Sequence, residues 1–249
     1  MTDVTAAILV IGDEILSGRT QDANVQAIAR ALGPMGIRVR EVRVVPDVQP
    51  AIVDAINTLR AAHAYLFTTG GIGPTHDDIT ADAVAAAFGV AISERSDALA
   101  ILAARYSAEE LTPARRRMAR IPDGASLIAN PVSGAPGFHL GNVFVMAGVP
   151  SIMRGMLSDV LPRLEGGVPV LSVSVRGPGL REGDFAGALG ALAAASPDLD
   201  FGSYPWFGPD GYGAALVVRG TDRDAVIRTG DALEALARSF GAVPERDGP

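Results

Sequence analysis

The run Thr69-Gly70-Gly71-Ile72-Gly73-Pro74-Thr75-His76-Asp77-Asp78-Ile79-Thr80 sits between an apolar stretch and an alanine-rich helical pattern. Gly70, Gly71 and Gly73 tolerate positive φ and let a ligand come close to the backbone. Consecutive amides in such a turn, leading into a helix N-terminus, bind anions such as phosphate. The hydroxyls of Thr69 and Thr75 add donors. Asp77 and Asp78 cannot meet a phosphate directly, because like charges repel. A divalent cation between carboxylate and phosphate resolves the conflict, and hard oxygen ligands suit magnesium or manganese. The plainer alternative is that Asp78 or Thr80 caps the helix and the glycines only make the turn.

Three further segments follow apolar runs: Gly12-Asp13-Glu14, Pro46-Asp47, and Ala147-Gly148-Val149-Pro150-Ser151. In an open parallel sheet, ligands bind beyond the carboxyl ends of the strands. If the sheet is parallel, all four segments meet at one rim. Asp47 has its own bland alternative as a helix cap before Pro50, and Asp13 and Glu14 as solvated charges. Ser17 and Ser151 have no evident base beside them, so covalent catalysis is not indicated.

The elements that must position these residues alternate. Ala6–Gly12 (AAILVIG) is a continuous apolar run, as in a strand buried on both faces. Val25, Ile28, Ala29 and Leu32 mark one face of a helix, ended by Gly33-Pro34. Ile37–Val45 alternates apolar and charged residues, like a strand near a sheet edge. A second helix through Ile52, Ile56 and Leu59, the strand Ala64–Gly71, a helix through Ile79, Ala83 and Ala87, and the strand Asn142–Pro150 continue the rhythm. Such alternation implies right-handed crossovers in a mainly parallel sheet covered on both faces, a three-layer α/β/α domain over residues 1–164. Beyond Glu165–Pro169 the pattern becomes strand-helix-strand-strand-helix, a small α+β plait over 168–243, and the tail 244–249 reads as loose.

Composition narrows the function classes. The chain is 48% hydrophobic and 20% charged, an ordinary globular balance. With no cysteine, thiol nucleophiles, disulfides and thiolate-bound zinc are excluded, and a cytoplasmic setting fits. A net charge of −7 disfavours nucleic acid as a partner. The one basic cluster, Arg115-Arg116-Arg117 with Arg120, is short. No apolar run approaches a membrane span, and no secretory signal is apparent.

The runs GDEILSGRTQDAN, TTGGIGPTHDDIT, NPVSGAPGF and AGVPSIM resemble the molybdopterin-binding domain family, most closely its CinA-type branch, and GSYP resembles the small module that follows in that branch. The resemblance implies a rim site for a phosphorylated pterin or nucleotide, built on Gly12, Glu14, Thr69, Gly70, Gly71, Gly73, Thr75 and Gly148. It implies that Asp47 and Asp78 match the aspartates of metal-assisted adenylyl transfer, with Asp77 beside them as a further metal ligand. In the CinA-type branch it implies metal-dependent cleavage of pyrophosphates such as ADP-ribose, and in a relative fused to FAD synthase, of FAD. Self-association into a homo-oligomer is also implied. So is the absence of nucleotide deamidation, because no amidohydrolase domain follows. Two departures stand out: Ala147 replaces a usual proline, and Ile152 stands where a glutamate is usual. They leave open a non-catalytic module that only binds its pterin or nucleotide.

Overall fold

A computed structural model describes residues 4–209 and 211–249. Its contacts divide into two units, Met1–Gly167 and Val168–Pro249.

In the first unit the elements run β1 (Val4–Ile11), α1 (Asp13–Leu16), α2 (Asn24–Leu32), β2 (Ile37–Val45), α3 (Gln49–Ala62), β3 (Tyr65–Thr69) and α4 (Thr80–Phe88). They continue with β4 (Ile92–Glu94), α5 (Ser96–Ala103), α6 (Pro113–Arg116), β5 (Arg120–Pro122), β6 (Ser126–Ile128), β7 (Gly137–Leu140), β8 (Val143–Met146) and α7 (Pro150–Val160). The main sheet has the order β2-β1-β3-β8-β7-β6. β2, β1, β3 and β8 are mutually parallel, while β7 runs antiparallel to β8 and β6. The sheet is therefore mainly parallel, with an antiparallel flank.

β1 shows why this segment cannot be amphipathic. Ala7, Leu9 and Ile11 enter one core with α3 and α4; Ala6, Ile8 and Val10 enter a second with α2 and α7. Successive side chains of a strand point to opposite faces, so a strand covered on both sides must be apolar throughout. Phe67 and Phe144 stack across β3 and β8 with ring centroids 5.4 Å apart, and both are almost fully buried. Burying one such side chain stabilises by roughly 1.5–3 kcal/mol, so these central strands are firmly held. β2 lies at the edge, where Val42 and Val44 remain exposed.

The helices have identifiable ends. The Asp22 carboxylate accepts from Val25 N (2.9 Å) at the start of α2, and α7 begins with Pro150 in its first turn. α4 stops at Gly89, whose φ of 66° a side chain would oppose. The short strands β4 and β5 pair antiparallel on either side of α5 and α6.

The second unit contains β9 (Leu171–Pro178), α8 (Glu182–Ala195), β10 (Asp200–Gly208), β11 (Gly211–Gly220), α9 (Arg223–Ser239) and β12 (Glu245–Asp247). The strands form an antiparallel sheet in the order β10-β11-β9-β12, and Val173, Val175, Leu216 and Val218 share a core with Phe185 and Leu233. The tail expected to be loose is instead strand β12, paired with β9 through Arg246 and Val175. Arg246 also bonds Asp231 (2.6 Å) and Glu234 (3.2 Å) of α9. A three-residue polar strand held by ion pairs carries no apolar periodicity, which is why its sequence reads as coil. No helix among the described residues is long and apolar enough to cross a membrane.

Candidate functional site

Because β2, β1, β3 and β8 are parallel neighbours, the segments following them leave the same edge of the sheet. Glycines let these segments crowd together. Gly70, at φ 102°, lies so near β1 that a Cβ there would stand 2.0 Å from the Ile11 carbonyl oxygen. Gly148 faces Gly70 backbone to backbone, since its Cβ would stand 3.2 Å from Gly70 Cα. The Gly148 carbonyl accepts from Asn24 Nδ2 (2.7 Å), tying α2 to the same point.

The turn after β3 is shaped from within. Thr80 Oγ1 donates to the Gly70 carbonyl (3.0 Å), and Thr80 N to the Gly71 carbonyl (3.0 Å). Asp78 Oδ2 accepts from Thr75 N (2.8 Å) and from Thr75 Oγ1 (2.5 Å). These bonds engage the carbonyls and turn Asp78 inward against Gly73, where a Cβ would come within 2.6 Å of Asp78 Oδ2. Among the described residues, the N–H groups of Gly71, Ile72 and Gly73 have no protein acceptor. Neither bland alternative describes the aspartates, because neither α4 nor α3 has a side-chain cap bond.

Beside this turn lies a cleft of about 680 Å³. It gathers Glu14, Gly70, Gly71, Gly73, Asp78 and Gly148 from the sequence-derived set. The Glu14 carboxylate folds back over Gly12, whose missing side chain leaves room for it: a Cβ on Gly12 would meet Glu14 Oε1 at 2.5 Å. Gly12 supports the cleft from its border.

Asp47 stands one strand away, where its Oδ2 accepts from Asp13 N (2.9 Å) and braces the turn carrying Glu14. Partial burial raises its pKa above the ordinary aspartate value; the Asp13 N–H opposes this, and the charges of Asp13, Glu14 and Asp77 add to it. Asp47 thus shares an electrostatic environment with the rim while lying outside the cleft lining.

Three expectations are corrected. Thr69 does not offer its hydroxyl to a ligand: it is 1% exposed and absent from the lining, a strand-end residue sealed into the sheet. The Thr75 hydroxyl is occupied by Asp78, and Thr75 does not line the cleft. Asp47, Asp77 and Asp78 do not form a metal cage, and no group of three His, Asp or Glu among the described residues is arranged to hold a metal ion. Asp47 turns to Asp13 N, one strand away from the others, while Asp78 faces Thr75 and Asp77 lies beside Thr75 and 3.9 Å from His76. The donor set left on the cleft wall, Glu14 and Asp78, is hard oxygen and fits a cation that completes its shell with water and ligand oxygens.

The cleft also contains residues that sequence reasoning missed: Thr20, Tyr106, Met118, Asn130, Ser133 and Met156. Asn130 had a usable signal in the NPVSGAPGF run. Its Oδ1 accepts from Val132 N and Ser133 N while its Nδ2 donates to the Ala135 carbonyl, so it braces that loop. Tyr106 carried no signal at all. Ala147 and Ile152, the two departures, both line the wall, which is apolar where a carboxylate was expected.

Comparison with known proteins identifies the family of the fold. The model for a probable molybdopterin binding domain matches residues 7–166, and that for the middle domain of FAD synthase matches 178–245. A CinA-like protein from Citrifermentans bemidjiense is 41% identical over 77% of this chain and 49% of its own length. One from Geobacter sp. is 42% identical over 66% of this chain and 41% of its own. The chain therefore spans half or less of the length of these relatives. A crystal structure of the protein CinA, of unknown function, from Thermoplasma acidophilum superposes with a TM-score of 0.62 at 34% identity, covering 65% of this chain and 99% of that one. The chain belongs to the molybdopterin-binding domain family, in its CinA-like branch, and its second unit is related to the middle domain of FAD synthase.

Proposed function

We propose that this protein is a metal-dependent hydrolase of nucleotide-containing pyrophosphates of the ADP-ribose or FAD type. One observation carries the reading: acceptor-free amides of Gly71, Ile72 and Gly73 share a cleft with the carboxylates of Glu14 and Asp78. The amides suit the non-bridging oxygens of a phosphoanhydride, where preorganised N–H dipoles stabilise developing negative charge. Glu14 and Asp78 would hold magnesium or manganese together with ligand oxygens. When bound, such a cation offsets charge on the phosphoryl group and acidifies a bound water. In the reaction a water oxygen bonds to phosphorus and gives up a proton to solvent, the anhydride P–O bond breaks, and the departing phosphate takes the electron pair. Asp47 acts through the Asp13–Glu14 turn as a positioning residue. The relationship of the second unit to FAD synthase favours an FAD-type ligand.

The apolar wall at Ala147 and Ile152 favours a second reading, a module that binds a pterin or nucleotide without turning it over. Incubation of purified protein with ADP-ribose or FAD and magnesium or manganese, with AMP release followed, separates the two. Hydrolysis above an Asp78→Ala control supports the first. Tight binding by calorimetry without product removes it in favour of the second.

A further inference from the structure

The arginine cluster at 115–120 divides by environment. Arg116 makes a forked ion pair with Glu94 through Nη2 (2.5 Å) and Nε (3.1 Å). Arg120 grips both carboxylate oxygens of Asp82 (2.8 and 2.6 Å). Arg117 borders a small cavity behind the glycine turn. Arg115 differs from the ion-paired Arg116 and Arg120. Its guanidinium lies 4.5 Å above the centre of the Tyr106 ring, and Nη1 donates to the Glu110 carbonyl (2.6 Å). The Glu110 carboxylate itself is turned to Ser107 N (3.0 Å). No carboxylate closes an ion pair on Arg115 among the described residues.

Arg115 also lines the cleft, and it is the one Lys or Arg among the described lining residues. A guanidinium seated on an aromatic face is held in orientation while the N–H groups along its edge stay available to an anion. The glycine turn already accounts for one phosphoryl group through its amides. A ligand carrying only that group would leave the Arg115 guanidinium with the Glu110 carbonyl and the nearby Glu110 carboxylate and no anion of its own. One carrying a second phosphoryl group can engage both.

We propose that Arg115, held on Tyr106, binds a second phosphoryl group and makes the cleft select pyrophosphate-bearing ligands over monophosphates. This refines the pyrophosphate reading above and rests on it.

The test is calorimetric binding of ADP and of AMP, each with magnesium, to the full chain and to Arg115→Ala, Arg115→Lys and Arg116→Ala. The unaltered protein should bind ADP more tightly than AMP. Arg115→Ala should weaken ADP binding by about 10- to 100-fold, as for loss of a hydrogen bond to a charged group, and leave AMP within about twofold. Retained AMP binding also certifies that the variant is folded. Arg115→Lys should recover part of the loss, because an ammonium supplies charge without the fork. Arg116→Ala should change neither ligand. If Arg115→Ala weakens both nucleotides equally, or spares ADP, the assignment of Arg115 is overturned while the cleft reading stands. If the unaltered protein binds neither nucleotide, both are overturned together.

Discussion

Asp78 is given two jobs by this geometry, and paired substitutions separate them. Its Oδ2 closes the glycine turn by accepting from Thr75 N and Thr75 Oγ1. The same carboxylate lines the cleft. Asp78→Ala removes both bonds. Hydrogen bonds to charged groups contribute about 1.5–3 kcal/mol when well shielded; for this solvent-facing pair we expect about 1–2 kcal/mol in total. For a domain of this size that lowers Tm by roughly 2–8 °C. Asp78→Asn keeps an acceptor oxygen but loses the charge, so it should cost less than about 1 kcal/mol. Hydrolysis should respond differently. Both variants remove the charge proposed to hold a cation, and both should lose about 100-fold or more, as losses of metal-assisted charge stabilisation do. Differential scanning fluorimetry and AMP release provide the two readouts. Near-normal turnover by Asp78→Asn would show that the residue only braces the turn. An Asp78→Ala melting curve identical to the parent's would refute the account of turn closure.

Two further outcomes are expected. Gly70→Ala combines a positive φ with a Cβ 2.0 Å from the Ile11 carbonyl oxygen, so β1 and β3 must part at their tips. We expect about 3 kcal/mol or more of destabilisation in chemical denaturation, and a loss under about 1 kcal/mol would contradict the close approach. Asp47 has a folded pKa raised above 3.8, chiefly by burial. Its ionised form is thus disfavoured in the fold, and its favourable contribution, complete below about pH 3.8, is lost as pH rises through the raised folded value. Asp47→Asn keeps an acceptor for Asp13 N and should melt at or above the parent at pH 7.5, with the difference shrinking toward pH 4. A parent that melts higher at pH 7.5 would reverse the sign.

Much of the first unit was legible because its physics is local. The unbroken apolar run of β1, the alternation of β2 and the helical spacing of α2 and α3 each state what covers them. Strands β6 and β7 were not legible: at three and four residues they are too short to show a period. β12 was lost for the related reason that ion pairs, not apolar contacts, hold it.

The sequence by itself determined that glycine-rich and acidic segments follow successive apolar strands, and parallel order then brings their backbones to one rim. Side-chain direction was another matter. Only the tertiary structure decided that Asp47 turns to Asp13, that Asp78 turns to Thr75, that Thr69 is sealed inside, and that Arg115 and Tyr106 join the cleft. Backbone placement follows from hydrophobic pattern, which is written along the chain. The aim of a polar side chain depends on which donor lies nearest in space, whether across the sheet, as Asp13 N is for Asp47, or within the folded turn, as Thr75 is for Asp78.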